Sequence, residues 1–73
     1  MFFKINDGWR INLNEVIEYG IYLNDNSTVK ITFKHGKATT YHLGSPEKAK
    51  QKIDELDEIL LYHRPKGGFI EWV

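Results

Sequence analysis

The segment 45–62, SPEKAKQKIDELDEILLY, constrains the fold more than any other part of the chain. Ser45 is suited to cap a helix N-terminus, because its hydroxyl accepts a hydrogen bond from a free backbone N–H. Pro46 fits the first helical position, where a missing N–H costs nothing. Pro65 and the two glycines that follow it disfavour a helix, so the helix is expected to end near Tyr62 or His63.

This helix is amphipathic. Its apolar residues recur at steps of three and four and form one stripe, which consists of Ala49, Ile53, Leu56, Ile59 and Leu60. Its acidic residues gather toward the C-terminal end: Asp54, Glu55, Asp57 and Glu58. A solvated helix surface is the simpler interpretation of these acids, and an acidic patch for a basic partner is the alternative.

A β-hairpin is predicted at the N-terminus, with arms at 2–5 and 9–13 around the turn Asn6-Asp7-Gly8. The second arm alternates between apolar and polar residues, which directs Trp9, Ile11 and Leu13 toward a core.

Three further strands are predicted at 16–23, from Thr28 to the turn at 34–37, and at 38–43. Gly20 inside the first of them is typical of a bulge or a close approach. The alternation is cleanest in the second, where one face holds Val29, Ile31 and Phe33 and the other holds Thr28, Lys30, Thr32 and Lys34. The residues expected to pack under the helix stripe are Ile17, Tyr19, Ile21, Val29, Ile31, Phe33, Tyr41 and Leu43.

Residues 69–73, FIEWV, are rich in β-forming residues. They are expected to form a short last edge strand, or else a tail that folds on a partner. Strands followed by one helix indicate the α+β class. The predicted fold is therefore a single small domain, 1–73, with an antiparallel meander of four to six short strands packed against one C-terminal amphipathic helix.

Composition excludes several classes of function. Ten Lys and Arg balance ten Asp and Glu, so there is no bulk charge to favour a nucleic-acid binder. The absence of cysteine excludes a disulfide framework, a thiolate zinc site and a cysteine nucleophile. The N-terminus lacks the apolar segment of a secretion signal, and no apolar run approaches the length of a membrane span, so a cytoplasmic protein without membrane contact is expected.

Neither catalysis nor a metal or cofactor site is expected. The three histidines, His35, His42 and His63, do not have helical ligand spacing and lie in no metal-binding motif. Ser27, Ser45 and Asp25 are not arranged in any pattern that predicts a catalytic triad. The two glycines at 67 and 68 have no phosphate-binding context.

Aromatic residues exceed what one core face requires, and the surplus lies at the two ends of the chain. Because aromatics are enriched at interface hot spots, these residues predict a partner-binding patch of Trp9, Tyr62, Phe69 and Trp72. The alternative is that the two termini pair as neighbouring strands and bury the rings internally. A chain this short without disulfides also favours self-association, so a homodimer is one form the patch can take.

The layout of strands followed by a helix resembles that of short bacterial or phage proteins of unassigned function. We expect a non-enzymatic protein-interaction module, such as a regulator or inhibitor, that acts through its aromatic ends, a sheet edge or the acidic helix face. The alternative is a nucleic-acid-binding domain that uses a basic sheet face of Lys30, Lys34 and Lys37, with Tyr22 as a stacking ring. A plain solvent-facing sheet surface explains the same lysines.

Overall fold

The computed structural model of the protein describes residues 1–62. Its strands and helix are β1 (Phe2–Asn6), β2 (Trp9–Asn12), β3 (Val16–Ile21), β4 (Thr28–Phe33), β5 (Ala38–His42) and α1 (Pro46–Asp57). The strands pair in antiparallel fashion in two sheets, β1–β2 and β3–β4–β5. Packed against α1, they confirm the predicted α+β class. The predicted strand at 69–73 lies outside the described residues.

The N-terminal hairpin is fixed by its turn. The Asn6 side-chain oxygen accepts hydrogen bonds from the backbone N–H groups of Gly8, at 3.0 Å, and Trp9, at 2.9 Å. The second arm is shorter than predicted, because Asn12 caps a 3-10 turn, Leu13–Glu15, by accepting from Asn14 N–H. Leu13 is therefore not in a strand, although it is buried as expected.

A β-bulge in β3 overturns one predicted core position. Val16 pairs with Phe33 but Glu18 pairs with Thr32, so Ile17 is an extra residue on β3. The bulge shifts the alternation by one, which places Val16 and Tyr19 against the core. The prediction that Ile17 packs under the helix was wrong, since it is 59% exposed. Ile21, which was expected in the same core set, is also exposed, at 38%.

The alternation in β4 and β5 is confirmed on its apolar side. Val29, Ile31 and Tyr41 are buried, and Phe33 and Leu43 pack against them. The polar face of β4 was predicted to be open to solvent, but Thr28 on that face is buried.

Helix α1 begins as the sequence predicts, and the helical conformation continues to Tyr62, the last described residue. Ser45 Oγ accepts from Lys48 N–H at 3.2 Å, Pro46 occupies the first turn, and Glu58–Tyr62 continues the helix in π form. The stripe faces inward: Ala49 and Leu56 are buried, while Ile53, Ile59 and Leu60 are partly buried against the core.

The core lies between the helix and both sheets. Its buried apolar residues are Ile5, Ile11, Leu13, Val29, Ile31, Tyr41, Ala49 and Leu56. The helix is tied to β1 by Lys52, whose ammonium donates to the Lys4 carbonyl at 3.3 Å and lies 5.3 Å from the centre of the Phe3 ring. The hairpin therefore shares one core with the three-stranded sheet.

A hydrogen bond from the Tyr19 hydroxyl to the Asp57 carboxylate, 2.8 Å long, ties α1 to β3. Burial raises the pKa of Tyr19 well above its ordinary value, and the hydrogen bond to Asp57 raises it further. The phenol therefore stays protonated and continues to donate. Two other helix acids are in ion pairs, Asp54 with Lys50 and Glu55 with Lys52. Less free acidic charge remains for a basic partner than the sequence alone indicates.

Within residues 1–62, no helix has the length and apolar composition that crossing a membrane requires.

Candidate interaction surfaces

A groove of about 300 Å³ runs between β2 and the hairpin formed by β4 and β5. We term it the Trp9 groove. Its lining residues are Trp9, Arg10, Ile11, Asn12, Glu15, Phe33, His35 and Tyr41. Four of these eight carry rings, so the groove offers an aromatic surface that is open to solvent.

The floor and one wall of the Trp9 groove are firmly packed. Ile11 and Tyr41 belong to the buried core, and side chains there have little freedom to move. On the wall, the Phe33 ring stacks on the His35 imidazole, with centroids 5.7 Å apart and planes inclined by 23°. A ligand would therefore meet a preformed surface.

Trp9 lines this groove with 63% of its surface open to solvent, so the prediction that alternation directs it toward the core was wrong. Its backbone is held by Asn6, whose side chain closes the turn just before it. Arg10 beside it is also held, since its guanidinium donates to the Asp7 carbonyl at 2.8 Å. The turn thus fixes the backbone of Trp9 and the guanidinium of Arg10.

A second concave surface, which we term the Gly20 depression, has a volume of about 390 Å³. It lies on the β3–β4 sheet and the turn after β3, and it is lined by Glu18, Tyr19, Gly20, Ile21, Tyr22, Leu23, Asn24, Lys30 and Thr32. The space above the glycine is open, because a side-chain carbon placed there would meet no atom within 4 Å.

The structure brings together two of the four residues predicted for nucleic-acid binding. Tyr22 and Lys30 line the Gly20 depression. Lys34 and Lys37 lie in the turn between β4 and β5, which is not part of that lining. Glu18 adds a carboxylate to the same surface, where it accepts from the Thr32 hydroxyl at 3.4 Å. The depression is therefore mixed in charge.

Two of the four residues of the predicted aromatic patch, Trp9 and Tyr62, lie in the described part of the chain. Trp9 lines its groove, whereas Tyr62 is 63% exposed and lies near Tyr19, whose pKa it helps to raise. These two rings thus belong to different neighbourhoods. Phe69 and Trp72 lie outside the described residues, as does His63.

A polar cluster that the sequence did not reveal joins Asp25, Thr28 and His42. The Thr28 hydroxyl donates to the Asp25 carboxylate at 2.9 Å and lies 2.7 Å from His42 Nδ1. The Thr28 hydroxyl has one proton, which it donates to Asp25. In the hydrogen bond with His42, the Thr28 oxygen must therefore be the acceptor and His42 Nδ1 must carry the proton. Thr28 is 1% exposed, so its hydroxyl cannot reach a substrate. We interpret the cluster as a structural link between the turn after β3 and the end of β5.

The cluster also affects the acidity of Asp25. Hydrogen bonds from Ser27 N–H and from the Thr28 hydroxyl lower the pKa of Asp25 below its ordinary value of 3.8. His42 lowers it further, since Nδ1 lies 3.5 Å from the carboxylate. Within residues 1–62, no group of three His, Asp or Glu side chains is arranged to hold a metal ion.

Replacing Asp25 by Ala is expected to lower the melting temperature at neutral pH. A lowered folded-state pKa means that the ionised carboxylate stabilises the fold fully above about pH 3.8 and loses that effect as the pH falls below it. The difference between parent and variant should therefore shrink as the pH is lowered below 3.8. Thermal melts between pH 2 and pH 7 measure this, with Asn26→Ala, an exposed position in the same turn, as control. A difference that is unchanged at low pH would contradict the prediction.

No protein-family model matches the chain, and no curated protein or solved structure matches it. The function has to be argued from the surfaces themselves.

Proposed function

We propose that the protein is a small non-enzymatic interaction module that binds another protein through the Trp9 groove. The observation that supports this most is the exposed Trp9 indole, which directly follows a closed turn and lines a groove with three other rings. Tryptophan is the residue type most enriched among interface hot spots, and arginine, present here as Arg10, is enriched with it.

The rigidity of the groove favours binding energetically. Each flexible side chain that becomes ordered on binding costs about 0.5–1.5 kcal/mol of binding free energy. Hydrogen bonds within the turn restrict the backbone of Trp9 and the guanidinium of Arg10 in advance. Ile11 and Tyr41 are fixed in the core, so the groove itself pays little of this cost.

The size and lining of the groove indicate which kind of partner side chain it can bind. A volume of about 300 Å³ accommodates one or two side chains rather than a large buried interface. The aromatic lining suits an apolar side chain, and Arg10 and Glu15 offer polar contacts at the rim. We infer a partner that presents one apolar anchor on a loop or an extended segment.

Replacing Trp9 by Ala is expected to weaken binding at least thirtyfold, equivalent to a hot-spot contribution of about 2 kcal/mol. Peptides selected against the full chain from a random library provide the ligand, and their affinities for parent and variant are compared by calorimetry. Phe2→Ala is the matched control, because Phe2 is another exposed aromatic residue of the same hairpin and does not line the groove.

The proposal is overturned if selected peptides bind the Trp9→Ala variant as tightly as the parent, or if Phe2→Ala weakens them equally. Thermal melts of both variants show whether any loss reflects unfolding. Since Trp9 is mostly exposed, its removal is expected to change the free energy of unfolding little.

The alternative function is nucleic-acid binding at the Gly20 depression, favoured by one observation: the Tyr22 ring and the Lys30 ammonium line the same surface. Single-stranded oligonucleotides that bind at low salt, and that lose affinity with Lys30→Glu but less with Lys34→Glu, would support it. Absence of binding at low salt would reject it.

A further inference from the structure

The outer edge of β3 is open among the described residues. β3 is at one end of the three-stranded sheet, where it pairs with β4 alone. Tyr22 N–H donates to the Thr28 carbonyl at 2.9 Å, and such bonds recur at every second residue of an antiparallel pair. Gly20 therefore faces β4 with its backbone groups, while those of Tyr19 and Ile21 point toward the open edge.

Beyond the bulge at Ile17, which interrupts regular pairing at the start of β3, the edge formed by residues 18–21 has little protection against strand addition. Edge strands are commonly blocked by charged residues or proline, but β3 has only one charged residue, Glu18. Its apolar side chains are exposed at Ile17 and Ile21, and Leu23 follows just beyond the strand. An open apolar edge of this kind is a template for another strand.

The last described residues of the helical segment lie near Tyr19 of β3. Tyr19 of β3 bonds to Asp57, and Tyr62, the last described residue, also lies near Tyr19. Only six residues, 63–68, separate Tyr62 from the segment FIEWV at 69–73. Six residues can span about 20 Å, whereas a paired strand lies about 4.8 Å from its neighbour. The segment can therefore reach the edge without rearrangement of the helix.

We propose that residues 69–73 add to the outer edge of β3 of the same chain as a sixth strand. In an added strand Ile70 and Trp72 share one face and Phe69, Glu71 and Val73 share the other. β3 likewise has Tyr19 and Ile21 on one face and Glu18 and Gly20 on the other.

The apolar pair fits the helix side of the sheet. Tyr19 and Ile21 pair with the core residues Ile31 and Val29, so they lie on that side. Ile21 and Tyr62 are both exposed there, and Ile70 and Trp72 would cover them. Aromatic and β-branched residues on neighbouring strands stabilise each other in this way.

The other face fits the Gly20 depression. Lys30 pairs with Gly20 across β3 and β4, and the glycine leaves open space between Lys30 and the strand edge. Glu71 would lie toward Lys30 across that space, and Phe69 or Val73 would cover the backbone of Gly20, as bulky neighbours do for glycines at sheet edges. This arrangement fills the depression, so it is incompatible with nucleic-acid binding there.

The test is amide hydrogen exchange by NMR on the full chain at low micromolar concentration. The Tyr19 and Ile21 amides, which point to the open edge, are expected to be protected at least a hundredfold over an unstructured chain. Trp72→Ala should accelerate their exchange at least tenfold. The Gly20 amide, bonded to β4, is the internal reference and should change little. Trp9→Ala is the control, because Trp9 lines a different surface.

Fast exchange at Tyr19 and Ile21 in the parent, with Gly20 protected, overturns the proposal. Protection that appears only as concentration and mass rise together also overturns it, since a second copy then supplies the strand. Ile70→Pro, which removes a backbone donor from the added strand, should reproduce the effect of Trp72→Ala. Protection that survives both variants also overturns the proposal, because a different group then covers the edge. None of these outcomes depends on whether the Trp9 groove binds a partner.

Discussion

Replacing Leu56 by Ala is expected to lower the free energy of unfolding by about 2–5 kcal/mol. Leu56 is fully buried on the inner face of α1, so its truncation removes apolar contacts and leaves a cavity. A domain of 73 residues has a total stability of about 4–11 kcal/mol, so the variant should melt far below the parent or not fold. Urea titration and thermal melts followed by circular dichroism measure the effect.

Leu23→Ala is the matched control for this change. It removes the same atoms from a leucine that is 98% exposed, and the expected change is within about 0.5 kcal/mol. Ile53→Ala, on the same helix stripe but only partly buried, should fall between the two. If the Leu56→Ala melt overlays that of the parent, the helix does not pack on the sheets as described.

Replacing Ile5 by Ala is expected to cost a similar amount, about 2–5 kcal/mol. Ile5 is fully buried and lies at the irregular position of β1, where the pairing register shifts between Lys4 and Asn6. It brings the hairpin into contact with the core shared by the helix and the larger sheet. The free energy of unfolding from urea titration is again the measurement.

Ile17→Ala is the matched comparison, because it makes the identical change at a site that is 59% exposed. The expected loss is about 0.5 kcal/mol or less. The pair tests the bulge in β3 directly: a regular strand would place Ile17 in the core and would make this variant as damaging as Ile5→Ala. Equal losses from the two variants would contradict the structure.

The candidate groove was predictable only in part. Trp9 was singled out by its aromatic character and its place at one end of the chain, and the structure leaves it exposed. Its neighbours Phe33, His35 and Tyr41 come from another sheet, and no local pattern connects them to Trp9. The Asp25, Thr28 and His42 cluster was missed for the same reason, because it joins residues up to seventeen positions apart.

The sequence by itself determined the elements whose cause is local. Helix α1 begins at Ser45 because one hydroxyl and one proline act within a single turn, and its buried face follows from spacing along one element. The inward face of β4 follows from strict alternation over a few residues, and that of β5 from Tyr41 and Leu43, two positions apart. Such signals need no knowledge of a neighbour.

Only the tertiary structure decided which side Ile17 faces and that Ile5 lies in the core. A bulge exists only relative to the partner strand, since one extra residue on β3 is defined by what β4 places opposite it. The extra residue puts Val16 rather than Ile17 on the core side, while Tyr19 beyond it keeps the predicted face. Long-range pairing, and not local preference, therefore set the final assignment of core and surface in β1 and β3.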